Sequence, residues 1–335
     1  MFSLTWESTM SISEARQDLQ SHLVAFLWSQ WAQIGALATT DRNDRWAADP
    51  EALLLLTFEV GREEPRLFDQ VLDWLAVNER LISIQRLRNL ARDEEDRALI
   101  EAVVGWLGGR RRRARLEARA KAGGSTDLEP FFRNSQLPIA DPDPAFLAQG
   151  LVKPKSEPSG KSQAPQVLLP INFAFRLRLL LGIGARAEAM RVLLTIDAPR
   201  TNIQAIAAST AYTKRNVQEA VTSLSAAGAL DAFEVGNEQR FSAPRDRWSH
   251  FLTLGDLPRH EDWPQLFAVC RKVLRWLADP AHEDLSDYML SSEALTLAEE
   301  VNPDLQFAGI AIDTQPDDST YLESFTRQFL ERAPI

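Results

Sequence analysis

Leu19, Leu23, Phe26 and Leu27 recur at the spacing of one helix face, and so do Leu67, Val71, Leu72 and Leu75. A third stripe, Leu99, Val103, Trp106 and Leu107, predicts a helix over about 96–120. Asp49-Pro50-Glu51 has the form of a helix start, with Asp at the cap and Pro at the first helical position. Toward the C-terminus Leu266, Val269, Val273, Leu274 and Leu277 form another stripe, and further helices are expected near 291–300 and 320–331. The most apolar run, 19–37, is broken by His22, Ser29, Gln30 and Gln33. A bilayer span needs about 20 predominantly apolar residues, so this run reads as a buried or interface helix.

The periodicity stops between 123 and 166. Prolines recur from Pro130 to Pro165 among Gly, Ser, Lys and Gln, and 153–165 is almost free of large apolar residues. That is the composition of a disordered linker. The pattern divides the chain into a helical domain (1–122), a Pro-rich linker (123–168), a segment at 169–247 and an acidic helical region (248–335).

Residues 185–243 carry the most information. A helix over 187–196 puts Ala189, Val192, Leu193 and Ile196 on one face, and Pro199 ends it. Thr201 and Gln204 have the spacing of a capping box for a short second helix whose Ile203, Ile206 and Ala207 face inward. After a turn at 209–212, Thr213 caps a third helix with Val217, Ala220, Val221 and Leu224 inside and Gly228 as its stop. Two short runs, 231–235 and 239–242, flank the turn Gly236-Asn237-Glu238 and predict a β-hairpin.

The outer face of the third helix carries Lys214, Arg215, Gln218, Thr222 and Ser225, with Thr213 and Asn216 at its start. Arg or Lys can read guanine, and Asn or Gln can read adenine, in the major groove. Arg240, in the hairpin, is expected to touch a minor groove or a phosphate.

Three runs carry a resemblance: 203–207 (Ile-Gln-Ala-Ile-Ala), 212–217 (Tyr-Thr-Lys-Arg-Asn-Val) and 224–230 (Leu-Ser-Ala-Ala-Gly-Ala-Leu). With them this stretch resembles the winged helix-turn-helix domains of bacterial transcription regulators of the broad MarR/ArsR type. The resemblance covers about 60 of the 335 residues. It implies double-stranded DNA as partner, bound commonly by a two-fold homodimer on a palindromic site.

Charge refines this picture. The net charge is −10, which excludes a protein that coats DNA or membrane by charge alone. By segment the net charge is −8 over 1–109, +5 over 110–169, +3 over 170–247 and −10 over 248–335. Seven positive charges fall within 110–121; Arg110, Arg111, Arg112, Arg113 and Arg115 are candidate phosphate contacts. The alternative is a solvated helix end, whose cations suit the helix dipole.

Other chemistry fails on spacing. One cysteine, Cys270, permits no internal disulfide and no multi-thiolate site, and reads as an inert thiol. Gly160-Lys161-Ser162 lacks the earlier glycine of a phosphate-binding loop, position 155 being Lys155. The run 182–187 matches G-x-G-x-x-A but feeds a helical motif rather than a βαβ unit. His22, His250, His260 and His282 show no metal-ligand spacing, so no metal, cofactor or catalytic residue is expected.

The expected architecture is mostly α: a helical N-terminal domain, a linker, a winged helix-turn-helix with a small β-hairpin wing, and a helical C-terminal extension. The leading expectation is a cytoplasmic, sequence-specific DNA-binding regulator of repressor type. The alternative is a protein-binding adaptor or antitoxin-like partner of a toxin–antitoxin or defence operon, gripping another protein through its helical halves. An enzyme with an unrecognised N-terminal site is a third reading.

Overall fold

The structure, a computed structural model, describes residues 10–112, 128–252, 257–282, 284–312 and 321–335. The fold is mostly α: among the described residues there are fourteen α-helices and two small sheets. The first five helices are α1 (Ile12–Gln33), α2 (Pro50–Val60), α3 (Pro65–Asn78), α4 (Ile84–Asn89) and α5 (Glu94–Arg112). Strand β1 (Glu129–Pro130), the short α6 (Pro144–Leu147) and strand β2 (Leu151–Val152) follow. Next come α7 (Phe173–Leu181), α8 (Ala185–Thr195), strand β3 (Thr201–Asn202), α9 (Ile203–Thr210) and α10 (Lys214–Ala226). Strands β4 (Asp231–Val235) and β5 (Glu238–Ser242) precede α11 (Ser249–Leu252), α12 (Trp263–Leu277), α13 (Asp287–Phe307) and α14 (Tyr321–Arg332).

The chain forms two compact units, and they divide it differently from the sequence expectation. One comprises the described residues up to Phe26 together with those from Gln265 onward. Its buried stripe on α12 includes the expected Leu266, Val269, Val273, Leu274 and Leu277, and Phe26 meets Phe267 edge-on at 5.9 Å. Cys270 is fully buried there, which pushes its thiol up to about 12. The other unit runs from Leu27 to Pro264 and contains residues 185–243.

In that larger unit α2 is buried along its whole length. Its start is the predicted one: Asp49 caps it, its carboxylate accepting from the Ala52 N–H at 3.1 Å, and Pro50 takes the first turn.

The stretch expected as a disordered linker is packed chain from 128 onward. Phe131, Phe132 and Phe146 are buried around Phe68, with ring centroids 4.5–6.1 Å apart. β1 and β2 pair in parallel beside them. Lys153, 2% exposed, lies over three of these rings and donates to Asp69 at 2.9 Å. The Gly160 and Ser162 N–H groups and the Ser162 hydroxyl all donate to the Asp73 carboxylate. Two backbone donors of a proline-rich run, which has few to spare, thus converge on one carboxylate.

Residues 185–243 fold into three helices and a three-stranded sheet with order β3-β5-β4. The inward residues Ile206, Val217, Ala220, Val221, Leu224 and Phe241 are buried. Two details differ from expectation. The cap of α9 is Asn202, accepting from the Ala205 N–H at 2.9 Å, and Thr201 is a strand residue paired with Phe241. The strand β3 itself, two residues long, was not foreseen. The glycines of 182–187 join helix α7 to helix α8, Gly182 with φ 80° capping the first, so no strand precedes them.

Candidate nucleic-acid interface

Helix α10 presents its face through a simple local arrangement. The Thr213 hydroxyl accepts from the Asn216 N–H at 3.2 Å, satisfying an otherwise open donor of the first turn. The same hydroxyl is hydrogen-bonded to Asn216 Oδ1. Asn216 is therefore engaged in the cap rather than held out for a base. The helix then ends at Ala227, and Gly228, with φ 74°, turns the chain toward β4.

Of the residues expected on its outer face, Lys214, Arg215 and Thr222 are exposed, and Gln218 and Ser225 are half-buried. Gln218 Nε2 donates to Thr222 Oγ1 at 3.1 Å, a link one turn long. Arg215, with its side chain 88% exposed, donates through Nε to Glu219 Oε1 at 3.0 Å. Glu219 was absent from the candidates drawn from sequence. It sits four residues beyond Arg215, in the middle of the outward stripe.

In the hairpin Arg240 lies on the central strand, opposite Phe233 of β4 and Asn202 of β3. Its Nη2 is 3.6 Å from Glu238 Oε2, and its Nε is buried without a partner. It is therefore set back from the turn at Gly236. The sequence reading missed Arg200, whose guanidinium lies 3.9 Å from the centroid of the Phe233 ring. Register puts Phe233 and Arg240 on one face of the hairpin, with Ala232 and the buried Phe241 on the other.

Of the arginine cluster, Arg110, Arg111 and Arg112 close α5 as backbone, and their side chains lie outside the described residues. Arg113 and Arg115 lie outside them altogether.

The turn between α9 and α10 is clamped from behind. Ala211 there holds φ 55°, a left-handed conformation that costs a residue with a Cβ about 1–2 kcal/mol. Asn89 Nδ2 donates to the Ala211 carbonyl at 3.0 Å, Arg86 Nε to the Thr210 carbonyl at 2.6 Å, and Ser83 Oγ bonds the Tyr212 hydroxyl at 3.1 Å. Arg86 belongs in turn to a buried cluster of three carboxylates and three guanidiniums: Asp49, Glu51, Glu188, Arg86, Arg178 and Arg191.

Arg86 pairs with Asp49 and, at 2.8 Å, with Glu51. Arg178 bridges Glu51 at 2.6 Å and Glu188 at 2.7 Å, and Arg191 meets Glu188 at 2.9 Å. Burial opposes ionisation of Asp49, yet Arg86 and Arg191 beside it hold its carboxyl below the usual range. Against the same burial Glu188 is held well below it by Arg178, Arg86 and Arg191. The cluster is charge-balanced and largely hydrogen-bonded, the condition under which buried ions are tolerated. Spacing could not reveal it, because its paired members include Arg178 and Glu51, 127 residues apart.

No family model, curated protein or solved structure matches this chain. Among the described residues no helix is long and apolar enough to cross a membrane.

Proposed function

We propose that residues 185–243 are a winged helix-turn-helix and that the chain is a sequence-specific DNA-binding regulator, of repressor type, reading double-stranded DNA through α10. The observation that carries this reading is the element order helix–strand–helix–helix–strand–strand combined with the sheet order β3-β5-β4. That is the order of winged helix-turn-helix domains. Further support comes from the capped, solvent-facing N-terminus of α10, where such domains meet base edges. Lys214 and Arg215 supply the first contacts. Arg200 and Arg240, flanking Phe233, supply contacts from the wing. A two-fold homodimer would bring two such helices to a palindromic site.

A second reading, a protein-binding module, is favoured by one specific feature. Over 185–243 six basic residues are matched by six acidic ones, so the segment has no net charge to draw it to phosphates.

Fluorescence-anisotropy titration separates the two, with the full chain, its own upstream DNA and a shuffled duplex at about 0.15 M salt. A regulator prefers its own site by roughly a thousandfold or more. Replacing Lys214 and Arg215 together by Ala should then weaken specific binding by at least about tenfold, since each base contact is worth about 1–3 kcal/mol. The helical signal should stay intact. Equal, weak binding to both duplexes by the wild-type chain would favour the protein-binding reading.

A further inference from the structure

Arg215, Glu219 and Thr222 recur at i, i+4 and i+7 along α10, opposite the buried Val217, Ala220, Val221 and Leu224. This stripe is the one that would face the bases if the DNA reading of the preceding subsection holds, and the inference rests on that reading. A carboxylate at its centre is unusual company for a polyanion. DNA carries about one negative charge per 1.7 Å of axis, so Glu219, 67% exposed, repels a duplex of any sequence unless it finds a donor. In the major groove the donor that suits a carboxylate is the exocyclic amine of cytosine.

We propose that Glu219 is a specificity-determining residue, accepting from cytosine N4 while orienting Arg215 to read a neighbouring guanine. The geometry fits both tasks. The Arg215–Glu219 contact engages only Nε and Oε1, at 3.0 Å, leaving the two Nη groups for the O6/N7 edge of guanine and Oε2 for the amine. Four residues of helix span about 6 Å, so the two bases fall within about two base-pair steps of each other. Against guanine or thymine at the cytosine position the carboxylate meets only acceptors or a methyl group, and adenine sets its N7 acceptor beside the amine. Glu219 thus rejects wrong sites as much as it holds the right one.

The test is selection of duplexes from a randomised pool by the full-length chain, in wild-type, Glu219→Ala and Glu219→Gln forms, with circular dichroism as a fold control. The wild-type chain is expected to enrich a motif holding a cytosine and a guanine within about two base pairs. Glu219→Ala should lose discrimination at that cytosine by about tenfold or more and bind unrelated duplex more tightly. Glu219→Gln should shift the preference there toward adenine. If Glu219→Ala enriches the same motif with undiminished discrimination, the proposal is overturned while DNA recognition stands. If the wild-type chain enriches no motif, the DNA reading itself falls and this inference with it.

Discussion

Arg86 shows how much can rest on one side chain. Its guanidinium is fully buried, faces two carboxylates and donates to the carbonyl of Thr210 in the turn ahead of α10. Replacing it by Met keeps the bulk but leaves Asp49 and Glu51 short of a counter-charge. Removing one partner of a buried pair costs about 3–5 kcal/mol. Arg86→Met should therefore lower the urea midpoint sharply, whereas the exposed Arg215→Ala should shift stability by no more than about 0.5 kcal/mol. A midpoint for Arg86→Met close to wild type would show that the cluster is dispensable. Residues of local effect were readable in advance: Asp49 and Thr213 cap the helices their spacing implied. Arg86 and Arg178 were not, because a sequence exposes partners three or four positions apart and these lie 37 and 127 residues from theirs.

Among elements, long amphipathic helices were legible because burial enforces their period. α1, α3, α10 and α12 fall where their stripes fall, and α14 where a helix was expected. The misreadings involve elements too short to show a period. β3 has two residues, and its edge pairing with β5 moved the cap of α9 from Thr201 to Asn202. The proline-rich stretch misled for another reason. Its packing relies on three phenylalanines and a buried lysine whose partners, Phe68 and Asp69, lie on α3. The α9–α10 turn should also be sensitive to acid. Asp49 and Glu188 have folded pKa values below their unfolded ones, so their stabilisation is full above about pH 5 and is lost as the pH falls through and below the unfolded values near 4. Urea midpoints measured at pH 7, 5 and 3 should hold between the first two and fall at the third. A flat profile would mean these carboxyls titrate alike in the folded and unfolded chain, and a midpoint that rises at pH 3 would mean they are buried neutral.

For the molecule as a whole, the candidate interface is not a detachable module. Residues 27–264 form one compact unit, and α7 and α8 share their buried ions with Asp49, Glu51 and Arg86. A fragment covering 169–247 would keep Arg178, Glu188 and Arg191 but lose Asp49, Glu51 and Arg86. It should show little cooperative unfolding in urea, whereas 27–264 should unfold in a single transition. Independent, cooperative folding of the short fragment would contradict this account. No periodicity in the sequence announces such a dependence, since the pattern of 185–243 looks self-sufficient when read alone.

The buried cluster also has a consequence for the order in which the chain is made. During synthesis Asp49, Glu51 and Arg86 leave the ribosome first, a partial set with one uncompensated negative charge. Arg178, Glu188 and Arg191 arrive about a hundred residues later with one positive charge to spare. Until then, burying the early set would require one of its carboxyls to take up a proton. The ion cluster is therefore complete, and its charges balanced, only once the segment bearing α8 has been made.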